Sequence, residues 1–322
     1  MQRNARKQGD SDSLRSGFEE GSTATRGNPF KHRLRLSKWD WMKTFALTIF
    51  ILPIRIFVVV IFIILLYLVA RIGLLNLDQT EYREKPFISH FRRLCQKLVF
   101  ILTKVFIKLM GFSVKIKGTM AEAREAPILI AAPHSTYWDL PVLNAACDKP
   151  YTSVFASEFK KAPLLGKITE ILQPIYLNRF DSSSREYTKR EILRRVSLNN
   201  HQDLNERWPQ LLFSPEGMCS NRTALLPFKL GAFNPGKPVQ PVMIRYPNKI
   251  DTVTWTRDQS HGPLSVFWLT LTQPMTHVVV EFLPVYNPNP EEQEDPVLYA
   301  SNVRNRMAAH YDVPIYDLPL KK

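Results

Sequence analysis

The chain has 322 residues, 45% of them hydrophobic, and a formal net charge of +14. This length and apolar content exclude a disordered protein and allow one large domain with an appendage or two smaller domains. The positive charge indicates an anionic partner, whether a nucleic acid, a phosphorylated small molecule or a lipid surface. Cys95, Cys147 and Cys219 lie far apart and lack C-x-x-C spacing, which excludes a disulfide framework and a cysteine zinc site and favours a reducing compartment.

The first 43 residues are polar and basic, and we expect residues 1–43 to form a disordered cytosolic tail. The next segment, residues 44–70, carries Arg55 as its only charge and is long enough to span a bilayer core of about 30 Å. Pro53 and Arg55 interrupt the segment, so two topologies fit it. One is a tilted, kinked helix that crosses the membrane, and the other is a re-entrant hairpin of two short helices.

The stretch of residues 71–112 is predicted to be a linker followed by an amphipathic helix. Between Phe91 and Phe112, apolar residues recur at helical spacing and lysines interrupt them. Such a basic amphipathic helix suits an anionic membrane interface. It also suits a helix that covers the sheet of the following domain, and both roles can hold at once.

Residues 113–322 are predicted to be a separate domain in which short apolar runs alternate with helical patterns. Strands are predicted at residues 113–117, 127–132, 152–156, 174–177, 210–213, 241–246 and 278–285, and helices at 184–198 and 296–310. This alternation is typical of an α/β domain with a largely parallel sheet.

His134 and Asp139 follow the second predicted strand of this domain. Neither a helix nor a strand would pair residues five apart, but a strand-to-helix turn would, with Ser135 or Thr136 capping the helix. Asp139 would then orient the imidazole and stabilise its charged form, which makes His134 a candidate general base. By itself the spacing is a weak indication, because many loop histidines are hydrogen-bonded without a catalytic role.

A second group of candidates follows the predicted strand at residues 210–213. Gly217 lets a backbone approach a ligand closely, and Arg222 and Lys229 can hold a phosphate. Glu216 either serves an acceptor hydroxyl or caps a turn. Arg179 stands at the end of another predicted strand, just before a basic helix, where its guanidinium suits an anion.

These motifs, in this order, resemble the four motifs of the glycerolipid (PlsC-like) acyltransferase family. They are the His134-x4-Asp139 pair, Arg179, the segment 215–217 (Pro-Glu-Gly) and the segment 239–242 (Val-Gln-Pro-Val). The strings APHS, GMCSNRT, FKLGAF and VQPVMIRYPNKIDTVTW are similar to the lysophosphatidylcholine acyltransferase branch in particular. The resemblance runs from about residue 40 to about residue 311.

Three residues depart from the pattern of that branch. Ser214 replaces an aromatic residue, Met218 replaces a threonine and Leu230 replaces a proline. A methionine cannot donate the hydrogen bond that a threonine hydroxyl donates. The departures at Met218 and Ser214 therefore leave open a catalytically inactive membrane scaffold.

The resemblance implies an α/β, glycerol-3-phosphate-acyltransferase-like sheet with flanking helices, preceded by the N-terminal membrane helix or re-entrant hairpin. It implies transfer of a fatty acyl group from acyl-CoA to a lysophospholipid hydroxyl, with lysophosphatidylcholine as the first candidate acceptor and lysophosphatidic acid or glycerol 3-phosphate as alternatives. On this basis the catalytic residues would be His134 and Asp139, and the substrate-binding residues Arg179, Glu216, Gly217 and Arg222. No cofactor is expected besides the co-substrate acyl-CoA, and no metal, since neither H-E-x-x-H nor D-x-D-x-D-G occurs.

The partners and location follow from the same resemblance. A phospholipid surface and the phosphates of CoA account for the positive charge, so a nucleic-acid partner is not expected. The family implies the endoplasmic reticulum membrane, with the catalytic domain facing the cytosol, or lipid droplets. Asn221 begins a glycosylation sequon inside the predicted site, and a glycan there would block the site, which agrees with a cytosolic face.

Overall fold

The structure, a computed structural model, describes residues 28–77, 79–87, 89–198 and 207–317. Residues 1–27, most of the predicted tail, lie outside these ranges. The α-helices are α1 (Lys38–Phe50), α2 (Leu52–Gly73), α3 (Gln79–Glu84), α4 (His90–Leu109), α5 (Asp139–Ala146), α6 (Leu165–Glu170), α7 (Ser182–Leu198), α8 (Pro263–Leu271), α9 (Pro290–Glu294) and α10 (Pro296–Tyr311). The β-strands are β1 (Lys31–His32), β2 (Phe112–Lys117), β3 (Ile128–Ala132), β4 (Thr152–Ala156), β5 (Ile175–Leu177), β6 (Leu211–Phe213), β7 (Val239–Arg245), β8 (Asp258–Gln259) and β9 (Thr276–Phe282).

Seven strands form one sheet in the order β2-β9-β7-β3-β6-β4-β5. The last five of these run parallel to one another, while β9 is antiparallel to β7 and β2 is parallel to β9. The predicted α/β fold with a largely parallel sheet is confirmed. The carboxyl ends of the five parallel strands share one edge of the sheet, so the loops that follow β3, β4, β5 and β6 lie side by side.

Helices cover both faces of this sheet, which is why its central strands are apolar along their whole length. Leu129 and Ala131 of β3 face a core shared with α4 and α5. Ile128 and Ile130 face the opposite core, shared with α7 and α10. The alternation follows from the two-residue period of side chains in a strand.

The prediction of a disordered tail is wrong for residues 28–43, which form regular structure against the domain. Lys31 pairs with Asp258 where β1 and β8 run parallel. Ser37 caps α1 through a capping box with Asp40, a combination that satisfies free N–H groups at a helix start. The polar composition of this segment therefore reflects hydrogen bonds to the domain. Of the predicted tail, residues 1–27 lie outside the described ranges.

The predicted apolar segment forms α1 and α2, which are separated at Ile51. Pro53 stands in the first turn of α2, where its missing N–H costs nothing, so it begins a helix rather than breaking one. Among the described residues, α2 alone is long and apolar enough to cross a membrane, with a mean hydropathy of 2.9. The hairpin of two short helices is therefore not found, because α2 has 22 residues.

Both ends of α2 lie on the α/β domain. Near its start, the Arg55 guanidinium donates to the carbonyl oxygens of Leu271 (2.7 Å) and Pro274 (3.0 Å). Near its end, Ala70 packs in a core with Ile171. A helix of this length spans about 33 Å, and seven strands span about 29 Å, so α2 extends across the width of the domain.

The helix α4 covers the sheet with one face, as predicted. Val99, Phe100 and Ile107 are buried in the cores, whereas Leu98 and Val105 on the other face are exposed. The exposed apolar face of α4 lies beside α2 and suits a membrane interface. This second predicted role of α4 stays a prediction.

Candidate active site

The loop between β3 and α5 brings His134 and Asp139 together. His134 Nδ1 lies 2.8 Å from Asp139 Oδ2, and the side chains are 26% and 3% exposed, respectively. Asp139 is the first residue of α5, so the predicted strand-to-helix turn forms. The imidazole therefore has a fixed orientation and one partly open side, the arrangement that a general base needs.

The Asp139 carboxylate is held by four hydrogen bonds in all. Besides His134, Oδ2 accepts the backbone N–H groups of Ser135 (2.7 Å) and Thr136 (3.1 Å), and Oδ1 accepts the Tyr246 hydroxyl (2.6 Å). The expectation that the Ser135 or Thr136 side chain caps α5 is wrong, because Trp138 is the N-cap residue and no side chain caps this helix. The backbone N–H groups of Ser135 and Thr136 bind the Asp139 carboxylate instead. These donors compensate the burial of its charge.

The environment of the His134 ring favours its protonated form. Burial lowers the pKa of His134, but hydrogen bonds with Asp139 and with the Cys219 thiol raise it, and together they hold this pKa well above its usual value. A carboxylate beside an imidazole stabilises the imidazolium. Only the neutral ring can accept a proton. His134 can therefore take a proton from a bound hydroxyl at pH values above this raised pKa.

Glu216 connects the two loops of the site. It is 1% exposed, and its oxygens accept the N–H groups of His134 (2.6 Å) and Leu226 (2.8 Å). Burial raises the pKa of Glu216 to about 7. Both oxygens accept hydrogen bonds within the protein, one of them from the His134 loop. The predicted contact of Glu216 with an acceptor hydroxyl stays a prediction.

A cleft of about 810 Å³ begins beside this loop, where Glu216, Gly217 and Met218 line it. Gly217 has a φ of +69°, a conformation that glycine adopts without strain. Arg179 Nη1 donates to the Gly217 carbonyl oxygen at 3.1 Å, and the Lys229 side chain lies over Gly217. The structure thus gathers Arg179, Gly217 and Lys229 at the end of the cleft nearest to His134.

Arg222 lies away from this cleft, and its predicted contact with substrate stays a prediction. It is absent from the described lining of the cleft. Its Nη2 atom lies 2.5 Å from Asp251 Oδ2, its side chain is 10% exposed, and its guanidinium covers the Tyr246 ring at 5.2 Å. A φ of +67° at Arg222 reverses the chain direction locally, so that the side chain meets Asp251 and Tyr246 behind the pair of His134 and Asp139.

Sequence reasoning missed Tyr246, which holds the second oxygen of Asp139. Tyr246 directly follows β7, the neighbour of β3 in the sheet. One signal in the sequence could have found it. Tyr246 is a polar residue at the carboxyl end of a strand, and that strand is the neighbour of β3, which precedes His134.

Two further predictions concern groups that would occupy the site. Asn221, in the sequon, donates its side-chain N–H to the carbonyl oxygens of Asn28 (3.1 Å) and Lys31 (2.9 Å), so a glycan would displace the N-terminal segment. In the described parts of the chain, no cluster of His, Cys, Asp or Glu side chains is arranged to hold a metal ion.

Comparison with known proteins agrees with this geometry. Residues 113–245 match the Acyltransferase family model. The chain is 41% identical over 295 residues to lysophosphatidylcholine acyltransferase 2B of Mus musculus, covering 91% of this chain and 55% of that protein. It is 41% identical over 288 residues to lysophospholipid acyltransferase LPCAT4 of Homo sapiens, covering 89% of this chain and 53% of that protein. The chain thus spans about half the length of these relatives.

A solved structure has a similar fold over most of the chain. The crystal structure of the 1-acyl-sn-glycerophosphate (LPA) acyltransferase PlsC from Thermotoga maritima matches with a TM-score of 0.55 and 16% sequence identity, covering 86% of this chain and 99% of that chain. At this identity the likeness supports the fold alone. The family match contains His134, Asp139, Arg179 and Gly217, and the chain belongs to the acyltransferase family that its motifs predicted.

Proposed function

We propose that this protein is a membrane-bound acyltransferase that moves a fatty acyl group from acyl-CoA to the hydroxyl of a lysophospholipid, with lysophosphatidylcholine as the leading acceptor. The observation that carries the proposal is the contact between His134 and Asp139, in a loop that is hydrogen-bonded to Glu216 in the lining of a cationic cleft. The names of the relatives support the choice of acceptor.

In this mechanism His134 is the general base. It removes the proton from the acceptor hydroxyl as that oxygen attacks the thioester carbonyl, and Asp139 stabilises the resulting imidazolium. The C–S bond then breaks, and the imidazolium proton passes to the departing thiolate of CoA. No covalent acyl-enzyme is required, and the sequence contains no G-x-S-x-G nucleophile elbow.

The cationic residues beside His134 are proposed to hold the phosphate of the acceptor. Arg179 and Lys229 flank Gly217, whose glycine backbone allows close approach. Glu216 and Arg222 contribute indirectly, because they fix the loop of His134 and the ring of Tyr246. Met218 lines the same cleft and offers an apolar contact where the family's threonine would offer a hydroxyl.

The exposed faces of α1, α2 and α4 are proposed to contact the membrane. Their exposed apolar residues include Trp39, Phe45, Phe57, Val60, Ile64, Leu68, Leu98, Ile101 and Val105. Because both ends of α2 are bound to the domain, we place this helix within one leaflet rather than across the bilayer. That placement suits the cytosolic face of the endoplasmic reticulum, and also the single lipid layer of a lipid droplet.

The proposal is tested by measuring CoA release in detergent with one long-chain acyl-CoA. Lysophosphatidylcholine, lysophosphatidic acid and glycerol 3-phosphate are offered separately to the wild type, to His134→Ala and to the exposed control His277→Ala. Release with lysophosphatidylcholine in the wild type and control, but not in His134→Ala, supports the proposal. Preference for another acceptor selects that alternative, and no release by folded wild type with any acceptor selects the inactive scaffold.

A further inference from the structure

The cleft beside His134 carries more positive charge than a lysophospholipid acceptor can neutralise. Four cationic side chains line it, Arg179, Arg185, Lys189 and Lys229, whereas its lining carboxylates are Glu186 and Glu216. The lysophosphatidylcholine head group brings one phosphate and one quaternary ammonium, so its net charge is zero. Arg179 and Lys229, beside Gly217, suffice for that phosphate. Lys189 and Arg185, whose Nη1 also donates to the Arg179 carbonyl oxygen at 2.9 Å, are then available for a second anion.

These two residues belong to a single face of α7. Ser182, Arg185, Lys189 and Ile192 line the cleft at intervals of three and four residues, the spacing that places side chains on one side of a helix. Lys189 lies seven residues after Ser182, about 10 Å further along the helix axis. The cationic wall therefore extends well beyond the end of the cleft that is nearest to His134.

Thr188, on the same wall, has an unpaired polar group. Its side chain lines the cleft and is 5% exposed. Among the described residues, its hydroxyl oxygen has no hydrogen-bond partner. Buried hydroxyls in proteins are nearly always paired, because an unpaired one loses its bonds to water without replacement. Because this oxygen has almost no accessible surface in the free protein, a rotation of the Thr188 side chain would be needed for a ligand group beside α7 to supply the missing partner.

We propose that the wall formed by Arg185, Thr188 and Lys189 binds the phosphorylated nucleotide end of coenzyme A, including its 3′-phosphate. The inference rests on the proposed function, since it assigns the donor of that reaction to a place in the cleft. The diphosphate and the 3′-phosphate together carry about four negative charges near neutral pH. Two apolar residues that also line the cleft, Leu177 and Ile192, suit the uncharged parts of the same molecule.

This assignment also separates the polar and apolar parts of the reactants. Trp138, four residues after His134, contacts Phe106 of α4, with ring centroids 6.3 Å apart, and Phe106 contacts Phe62 of α2 at 5.8 Å. The His134 loop therefore borders the apolar helices through these rings and borders the cleft through Glu216. A nucleotide on α7 keeps its charges in the polar cleft, while acyl chains approach along the apolar helices.

The first test compares the binding of CoA and 3′-dephospho-CoA without any acyl transfer. We expect wild type to bind CoA more tightly, and Lys189→Gln to weaken CoA binding about tenfold while reducing the preference for the 3′-phosphate. Arg190→Gln is the matched control, because this neighbouring exposed residue is outside the described lining of the cleft and loses the same charge. Equal binding of both ligands by wild type, or equal losses in the two variants, would overturn the proposal.

Thr188→Val provides a second test that does not change charge. The substitution removes a hydroxyl that is unpaired in the free protein, so the melting temperature is expected to stay the same or rise. The dissociation constant for CoA is expected to increase several-fold because the hydroxyl loses its ligand partner. A lower melting temperature with unchanged CoA affinity would show that the hydroxyl serves the fold and would contradict the assignment.

The KM values for acyl-CoA and for lysophospholipid then show which of the two substrates the wall binds. In Lys189→Gln we expect the KM for acyl-CoA to rise about tenfold, with the KM for lysophospholipid and kcat unchanged. A raised KM for the lysophospholipid alone would assign the wall to the acceptor and refute the inference. Wild type that binds CoA through the 3′-phosphate but acylates no lysophospholipid would refute the proposed function and support the nucleotide site.

Discussion

Asp139 and its four hydrogen bonds fix the position of the candidate base. Three of the donors come from its own loop, whereas the Tyr246 hydroxyl comes from the end of a neighbouring strand. The ring of Tyr246 is in turn covered by Arg222, which is bound to Asp251. Residues far apart in the sequence thus hold one carboxylate, and the orientation of the His134 ring depends on all of them.

Replacing Tyr246 by phenylalanine removes one of these bonds without changing the ring. A hydrogen bond to a charged group contributes about 1.5–3 kcal/mol, so kcat is expected to fall about 10- to 100-fold if the loss is felt in the transition state. KM should not change. Tyr299→Phe is the control, because Tyr299 is equally buried and donates to the Lys237 carbonyl oxygen. An equal fall in kcat for both variants would contradict the specific role.

The activity is expected to depend on pH through His134. Its pKa is held well above the usual value by Asp139 and Cys219 against the effect of burial, and only the neutral ring can accept a proton. The rate should therefore rise as the pH increases through this pKa. In Asp139→Asn the carboxylate charge is absent, so the rising limb should move to lower pH and kcat should fall on the order of a thousandfold. Steady-state rates between pH 5 and 9 measure both effects, and an unmoved limb would exclude His134 as the titrating group.

Glu216 is expected to affect both stability and catalysis. In Glu216→Gln one of two backbone N–H groups, that of His134 or of Leu226, loses its acceptor, which should cost about 1–3 kcal/mol of unfolding free energy. Because the His134 loop moves, kcat should fall as well. The control is Glu292→Gln, since Glu292 is equally buried and accepts an N–H from Asn289, away from the site. Stability should fall in both variants, and an unchanged kcat in Glu216→Gln would contradict the positioning role.

At the scale of elements, α2 is attached to the domain by a buried arginine. Arg55 donates to the carbonyl oxygens of Leu271 and Pro274 where α8 leads into β9. Gly111 leaves the space for this contact, because a Cβ atom there would lie 2.1 Å from Arg55 Nη2. The charge that appeared to interrupt a membrane helix is therefore the residue that connects this helix to the sheet.

Arg55→Met should weaken this attachment. The backbone carbonyl groups at the end of α8 lose their donor, so the unfolding free energy in detergent is expected to fall by about 3 kcal/mol. Arg71→Met, at an exposed position near the other end of the same helix, should leave it unchanged. Thermal unfolding of both variants gives the comparison. Equal stability of Arg55→Met and wild type would show that the contact contributes nothing.

At the scale of the whole molecule, the placement of α2 determines how the site meets the membrane. A helix that lies along the domain keeps both its ends on one side of the bilayer, whereas a crossing helix exposes one end on each side. In the proposed placement the apolar faces of α1, α2 and α4 would lie in one leaflet, where a lysophospholipid acceptor would reach His134.

Cysteine labelling in sealed microsomes distinguishes these placements. One cysteine at a time is introduced, as Lys43→Cys or Leu75→Cys, at exposed positions before and after the apolar segment. The background carries Cys219→Ser and keeps the two buried native cysteines, Cys95 and Cys147, so the parent background without an added cysteine is labelled as a blank. We expect a membrane-impermeant maleimide to label both from the cytosolic side. Labelling of one site only, with the second becoming reactive after permeabilisation, would establish a crossing helix. Permeabilised samples provide the control for intrinsic reactivity.

The sequence alone determined the seven strands of the main sheet, the α/β class, the basic character and the motifs around His134, Arg179 and Gly217, but not β1 and β8. These features depend on local hydrophobic periodicity and on residue order, which a single chain displays directly. Strand boundaries agreed to within three residues because turns and buried apolar runs are local signals.

Only the tertiary structure decided which charges are free and which are bound. In the sequence, Arg222, Arg55 and Lys189 are all simply basic residues. In the structure, Arg222 is buried against Asp251 and Arg55 against backbone carbonyl oxygens, whereas Lys189 lines a cleft. Likewise, residues 28–43 looked like a tail until their partners in β8 were known. Burial and pairing are properties of residues that are distant along the chain, and so the sequence carries no local signal for them.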